Sequence, residues 1–371
     1  MRCCLVCFEH TWIRDLIKRE STVRGTCGFC GARRSPLIDL DHLYKPFKNL
    51  CSMYARVDQV VAPGEDAFER GESLFYLIQD SYQVFSERVE EKGRAEDLLF
   101  AILQSGWEKD DGEDPLDRFE LFAFAKPFYE SSLAEDWQQF CSEVRKHPNA
   151  DDPFYRFLDD DLARTEVRIP ANAEFLRARK CLEYDGESGE PLPCGRAKMG
   201  PPPKTDGKGR PNPPGRANCE GRSVLYCADQ KATAISESRP WNGLYISIAV
   251  FRASVELRLL DLVNGLPEVN PFESESPLYD SEFAELMRAF AEELSRPLIR
   301  ADDPTDYLPS QRLASYIESR GFDGIRYPSA MRIGGSNVVF FDPKKLEFVD
   351  SSLVQIMGIK IDFEERGSDT P

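Results

Sequence analysis

Histidine is nearly missing from this chain. There are three in 371 residues, at His10, His42 and His147. A site that depends on imidazole for acid–base work therefore has few candidates. Helical domains with ribonuclease activity can carry an arginine roughly four to six residues ahead of a catalytic histidine. None of the three histidines has one, which excludes that chemistry. His147, in Arg-Lys-His-Pro, reads as a helix-end residue. Uncharged apolar runs long enough to span a bilayer are also missing, so no membrane partner is expected. The opening MRCCLVCFEHTW lacks a signal peptide's basic start, apolar stretch and small-residue cleavage site, and the expectation is a cytoplasmic protein. Positive charge is scarce: 47 Lys and Arg stand against 64 Asp and Glu, a formal net charge of -17. Such a surface repels phosphate backbones, so nucleic acid is not an expected partner.

One stretch runs against that charge. Between Cys194 and Arg222 lie seven basic residues (Arg196, Lys198, Lys204, Lys208, Arg210, Arg216, Arg222) and two acids, Asp206 and Glu220. Charge alone leaves two readings open: a seat for a compact anion such as a dinucleotide, or a solvated basic loop.

The eleven cysteines divide into two groups. Cys4 and Cys7, then Cys27 and Cys30, form two CxxC units with nineteen residues between them. Two short chelating turns brought together place four thiolates around one point, the arrangement of a structural zinc site with a closed coordination sphere. Cys3, beside Cys4, is an alternative ligand. The other seven cysteines have no metal spacing and read as free thiols.

Beyond an expected zinc ribbon over residues 1–42, residues 43–150 read as a helical domain. Leu74, Leu77, Ile78 and Phe85 recur at helical spacing, as do Leu98, Leu99, Ile102 and Leu103, then Leu133, Trp137, Phe140 and Val144. Pro63-Gly64 and the acidic run 110–115 read as loops. An acidic, proline-containing stretch over 148–173 reads as the boundary. From about residue 174 the pattern mixes strands (243–251, 255–262, 336–341 and 353–361) with amphipathic helices through Phe283–Leu294 and Gln311–Ser319. Strands without regular alternation with helices predict an α+β class, and 361–371 reads as a disordered tail.

Five segments of the second half, in order, resemble the RES domain family, named for an arginine, a glutamate and a serine. Phe175 to Arg179 (FLRAR) is similar to its opening YRxR element. Gly215 to Asn218 (GRAN) resembles its GRxN turn. Leu225-Tyr226, followed by Ala234 to Pro240, looks like the strand and helix that deliver the glutamate. Tyr307 to Ile317 is similar to a late helix, and Gly321 to Pro343 supplies the serine. The resemblance covers 174–360. The region before it resembles the zinc-ribbon and helical segments found fused ahead of such domains.

That resemblance implies an ADP-ribosyltransferase-like α+β domain that cleaves NAD at the nicotinamide bond by hydrolysis or phosphorolysis. It also implies a toxin-like or defence-related role, with an antitoxin or regulatory protein as partner. The residues it implies are Arg177, Glu237 and Ser329 for catalysis, with Arg216, Asn218 and Tyr226 binding the dinucleotide. The chemistry agrees with those residue types. Cleavage passes through an oxocarbenium-like ribosyl cation, which a carboxylate stabilises. Pyrophosphate, or attacking phosphate, favours the planar fork of arginine. Nicotinamide leaves neutral, so no acid is needed, in keeping with a site without histidine. Each residue also has a plain reading: Arg177 in a surface ion pair, Glu237 bridged to Arg239 or Lys231, Ser329 in a turn after Pro328. Residues 184–214 form a Gly- and Pro-rich insert, either a lid or a decoration. ADP-ribosyl transfer to a macromolecule and non-catalytic nucleotide sensing remain the alternative functions.

Overall fold

The computed structural model describes residues 1–54, 72–107, 133–147, 161–206, 208–266, 269–296 and 304–360. The expected loops at Pro63-Gly64 and 110–115, the start of the acidic boundary and the tail over 361–371 lie outside the described residues. The chain divides into two compact units, Met1–Ser132 with Glu268–Phe283, and Leu133–Pro267 with Ala284–Pro371.

The first unit opens with β1 (Arg2–Cys4), α1 (Thr11–Glu20), β2 (Val23–Gly25) and β3 (Ser35–Asp39), the strands forming an antiparallel sheet in the order β1-β3-β2. Successive strand residues face opposite ways. Cys3 and Cys4, both fully buried on β1, therefore point to different sides of the sheet. A 3-10 turn over Leu5–Cys7 carries Cys4 into Cys7. The second CxxC turn is closed by Gly31 N–H donating to the Cys27 carbonyl at 3.0 Å and Cys27 N–H to Ala32 at 2.9 Å. Gly31 has φ +70°, a conformation that suits glycine. Helices α2 (Asp41–Cys51), α3 (Leu74–Tyr82) and α4 (Ala95–Trp107) follow. Leu43, Phe47 and Leu50 are buried on α2, and on α3 and α4 the buried Leu74, Leu77 and Ile78, then Leu98, Leu99 and Ile102, are the stripes that the periodicity marks.

A segment distant in sequence completes this unit. Phe272, 2% exposed, joins the same core. Its ring stacks on Trp12 at 5.6 Å and meets Phe47 edge-on at 5.7 Å and His10 at 4.8 Å. Beside it, Trp12 Nε1 donates to Glu273 Oε1 at 2.6 Å. Burial lowers the His10 imidazole's pKa, so it sits neutral against the ring at physiological pH. Truncating Phe272 leaves a cavity among Trp12, Phe47, His10 and Tyr82. Phe272→Ala is expected to destabilise the first unit by about 3–5 kcal/mol, read by chemical denaturation of the full chain.

The second unit begins with α5 (Leu133–Lys146). The sequence grouped this helix with the helical region. It packs instead on residues of the second unit: Trp137 meets Phe290 edge-on at 4.6 Å, and Arg145 pairs with Glu293 at 2.5 Å. Next come β4 (Glu166–Ile169), β5 (Glu174–Arg179), β6 (Leu225–Ala228), α6 (Lys231–Glu237), β7 (Tyr245–Ala253) and β8 (Leu257–Asp261). They are followed by α7 (Pro277–Ser295), α8 (Leu308–Ser319), β9 (Gly324–Pro328), β10 (Ser336–Phe340) and β11 (Leu346–Gln355). Helix α7 begins in the first unit and ends in the second.

The strands form one mixed sheet in the order β11-β7-β5-β6-β10-β9-β8-β4, antiparallel except where β8 meets β9. The class is α+β, as the pattern predicts. Two strand expectations are corrected. The last strand begins at Leu346, not 353, because it pairs with β7 along its whole length at the sheet edge, where one face stays exposed and the apolar signal is thin. The acidic boundary contains β4, which pairs with β8 at the other edge. Phe175 and Phe340, with rings 4.8 Å apart, join Leu225, Phe251 and Val338 in the core beneath the central strands. Among the described residues no helix is long and apolar enough to cross a membrane.

Candidate active site

Strands β5 and β6 share a single registered pair, Leu176 with Ala228. Beyond it the strands separate, and Arg177 bridges the gap by donating from Nη1 to the Tyr226 carbonyl at 3.3 Å. A side chain thus satisfies a backbone acceptor that a continued ladder would have used. Directly opposite residues of neighbouring strands share a face. Tyr327 of β9 lies opposite Asn337 of β10, Asn337 opposite Ala228 and Ala228 opposite Leu176, which makes one row across four strands. Ala228, the small member, leaves room above the row.

Glu237, the last residue of α6, stands there. Its Oε1 accepts from Ser329 Oγ at 2.6 Å and from Asn337 Nδ2 at 2.7 Å. Among the described residues Glu237 has no ion pair, so the bridges to Arg239 or Lys231 do not form. Ser329 opens a tight hairpin to β10, closed by its N–H on the Gly335 carbonyl at 2.9 Å. Gly334 has φ +71°, and a Cβ on Gly335 would lie 2.5 Å from Thr233 Oγ1 of α6, so both turn positions need glycine.

The GRAN turn is a second constructed element. Gly215 and Asn218 exchange backbone hydrogen bonds, and Tyr226 Oη accepts from Ala217 N–H at 2.9 Å while donating to Asn218 Oδ1 at 2.9 Å. Asn218 is 4% exposed and its amide donates to the Pro213, Cys219 and Arg222 carbonyls, so its polar groups are spent within the turn. The turn presents Arg216, whose Nη1 donates to the Leu294 carbonyl at 2.6 Å, at the C-terminal end of α7 where a cation is favoured. A Cβ on Gly215 would fall 2.6 Å from Asn218 Oδ1 and 3.1 Å from Tyr226 Oη. Gly215→Ala is expected to cost about 1–3 kcal/mol, measured as a lowered melting temperature.

These elements enclose a cavity of about 290 Å³, near the lower end for small-molecule sites. Its lining includes Arg177, Arg179, Arg216, Tyr226, Glu237, Tyr327 and Asn337. Ser329 reaches it through Glu237, and Asn218 through Tyr226. None of the three arginines has a carboxylate partner among the described residues; Arg179 donates to the Lys198 carbonyl at 2.8 Å. Burial, then the charge of Arg179, pulls the Arg177 guanidinium down to about 10, and burial lowers Arg179 as well. Both stay protonated at neutral pH, so the cavity carries uncompensated positive charge. Burial pushes the Tyr226 hydroxyl and the Cys227 thiol up to about 12, so Cys227 offers no thiolate there.

Much of the basic stretch around this cavity is spent locally. Lys198 pairs with Glu183, Arg210 with Asp206 and Arg222 with Glu318, leaving Arg216 as its contribution to the lining. The insert over 184–214 contains a two-residue hairpin, Glu183–Tyr184 with Pro191–Leu192, and a single helical turn, Arg196–Met199, whose Met199 is fully buried.

Arg179, Tyr327 and Asn337 were not singled out from the sequence. Arg179 follows Arg177 at strand spacing and could have been found that way. Asn337 and Tyr327 enter only through sheet register.

In the first unit the sulfurs of Cys4, Cys7, Cys27 and Cys30 all lie within 4.8 Å of one another and could hold a metal ion. Cys4 and Cys30 are 3.4 Å apart, Cys7 and Cys27 3.5 Å, Cys4 and Cys7 4.0 Å. Tetrahedral zinc with Zn–S of about 2.3 Å requires about 3.8 Å between sulfurs, so the residues fit a tetrathiolate ion. Cys4, not Cys3, joins the cluster, as the strand alternation dictates.

Residues 195–358 match the family model of the RES domain. This stretch of the chain is similar to the RES domain. Arg216, Asn218, Tyr226, Glu237, Ser329 and Asn337 all fall within it, whereas Arg177 and Arg179 precede it on β5, which pairs with the matched stretch's strand β7. The chain is also similar to the crystal structure of the M. tuberculosis MbcT–MbcA toxin–antitoxin complex, at 12% identity over 53% of this chain and 92% of that one, with a TM-score of 0.24. No curated protein matches the chain.

Proposed function

We propose that this protein consumes NAD by cleaving the bond between nicotinamide and ribose. One observation carries the reading: a single cavity sets three arginines without carboxylate partners around one carboxylate held by two donors. Half-buried guanidiniums bonded only to backbone carbonyls favour an anion with several oxygens, and a pyrophosphate supplies it. Glu237 then faces the ribose. As the C–N bond breaks, its electron pair neutralises the nicotinamide nitrogen, and the carboxylate stabilises the positive charge left on the ribosyl carbon. Water attacks that carbon and loses a proton to solvent, giving ADP-ribose. Alternatively a phosphate oxygen attacks, giving the 1-phosphate with no proton to remove. Cys227 and Tyr226 are neutral at working pH, and covalent attack by either is not part of the scheme.

In this reading Arg177, Arg179 and Arg216 hold the anionic part of NAD, and the ring of Tyr226 lines the pocket while its hydroxyl holds the GRAN turn. A structural zinc sits on Cys4, Cys7, Cys27 and Cys30 and contributes to folding, not to turnover. A toxin-like role, restrained by an antitoxin or by the N-terminal region, follows from NAD loss being damaging to any cell. The deciding experiment is nicotinamide release from NAD by the full chain, with and without inorganic phosphate. Label from tagged NAD on a macromolecule would instead indicate ADP-ribosyl transfer. Tight NAD binding without turnover would indicate sensing.

A further inference from the structure

Resting on that functional reading, we propose that Asn337 is a positioning residue: with Ser329 it clamps one oxygen of Glu237 and so dedicates the other to the substrate.

The geometry is asymmetric. Both donors go to Oε1, and Oε2 has no partner among the described residues. Neither donor is ambiguous. Ser329 Oγ accepts from Met331 N–H at 3.2 Å, which directs its only proton to Glu237. A carboxylate only accepts, so the Asn337 amide must turn its NH₂ towards it. Asn337 itself cannot drift. It is 7% exposed and sits in the middle of the cross-strand row, between Tyr327 and Ala228. Glu237 by contrast ends a seven-residue helix and is exposed, so its own backbone gives its side chain little restraint. Two donors from β10 and its preceding hairpin supply that restraint. A carboxylate so held presents one lone-pair edge to the cavity without reorganising during the reaction, which is where electrostatic catalysis gains most.

Ser329 is thereby a positioning residue too, since its hydroxyl is used twice within the protein. Glu237 alone of the three touches the reacting ribose.

The test compares Asn337→Ala with Asn337→Asp in the full chain, by steady-state NAD cleavage at mildly alkaline pH. Asp matches Asn in shape but replaces the donor with a second negative oxygen against Oε1. The expected result is a kcat lowered about 10²-fold in Asn337→Ala, with KM within a few-fold, and lowered further in Asn337→Asp. A role in packing alone reverses that order, because Asp preserves the volume. Ser329→Thr, which keeps the hydroxyl, is expected to retain most of the kcat lost in Ser329→Ala. An active wild type with Asn337→Asp equal to or better than Asn337→Ala, or with losses confined to KM, overturns the inference alone. A wild-type chain that releases no nicotinamide overturns the functional reading and this inference with it.

Discussion

Replacing Glu237 with alanine is expected to lower nicotinamide release from NAD by at least about 10³-fold, with KM little changed. The reason is that the carboxylate acts on charge that exists only as the glycosidic bond breaks. In the proposed function ground-state binding rests instead on Arg177, Arg179 and Arg216, which line the same cavity and which the substitution leaves in place. Glu237→Gln separates charge from geometry. Its amide oxygen still accepts from Ser329 and Asn337, so the local structure persists, while the negative charge is gone. We expect it to be nearly as inactive as Glu237→Ala, with a melting temperature close to wild type. If Glu237→Gln kept most of the wild-type kcat, the carboxylate would have only a structural part and the scheme would fail. Running the same assay with and without phosphate separates the two acceptors. Turnover that rises with phosphate and yields a phosphorylated ADP-ribose identifies phosphorolysis. Turnover indifferent to phosphate identifies hydrolysis.

The second large effect concerns metal. One equivalent of zinc per chain is expected by elemental mass spectrometry, lost in Cys30→Ser and retained in Cys3→Ala. Cys3 is as buried as its neighbour but lies on the opposite face of β1, so it is the control that distinguishes coordination from burial. The energetic scale is large. Structural zinc in small peptides contributes an apparent 10–16 kcal/mol at about pH 7, comparable with the whole stability of a domain at about 5–15 kcal/mol. Chelation is therefore expected to unfold the first unit, seen as a loss of its cooperative transition. If a chelated chain holding no metal melted as before, the four cysteines would be a thiol core and not a coordination site.

The same reasoning bears on how a separate catalytic fragment should be cut. Phe272 lies inside the stretch that matches the RES domain, yet its ring is part of the first unit's core. A fragment that starts near residue 160 exposes that ring and loses its Trp12, Phe47 and His10 neighbours. Altered activity in such a fragment reports on this exposed segment as well as on any restraint by the N-terminal region.

What was legible in the sequence is what depends on near neighbours along the chain. The CxxC spacings set which sulfurs can share a metal. The stripe Leu74, Leu77, Ile78 marks one helix and Leu98, Leu99, Ile102 another, because a helical face repeats within a few residues. Residues 243–251 marked β7 for the same reason, at a period of two. Tertiary structure alone decided the rest. Choosing Cys4 over Cys3 required the pairing of β1 with β3. Placing Phe272 in the first unit required its ring to meet Trp12, whose hydrogen bond to the adjacent Glu273 spans 261 positions. Bringing Ser329 and Asn337 onto Glu237 joined residues 92 and 100 positions apart. No periodicity encodes such meetings. They are set by strand register, which is fixed by burial summed over the whole sheet, and a shift of one residue would turn Asn337 to the other face.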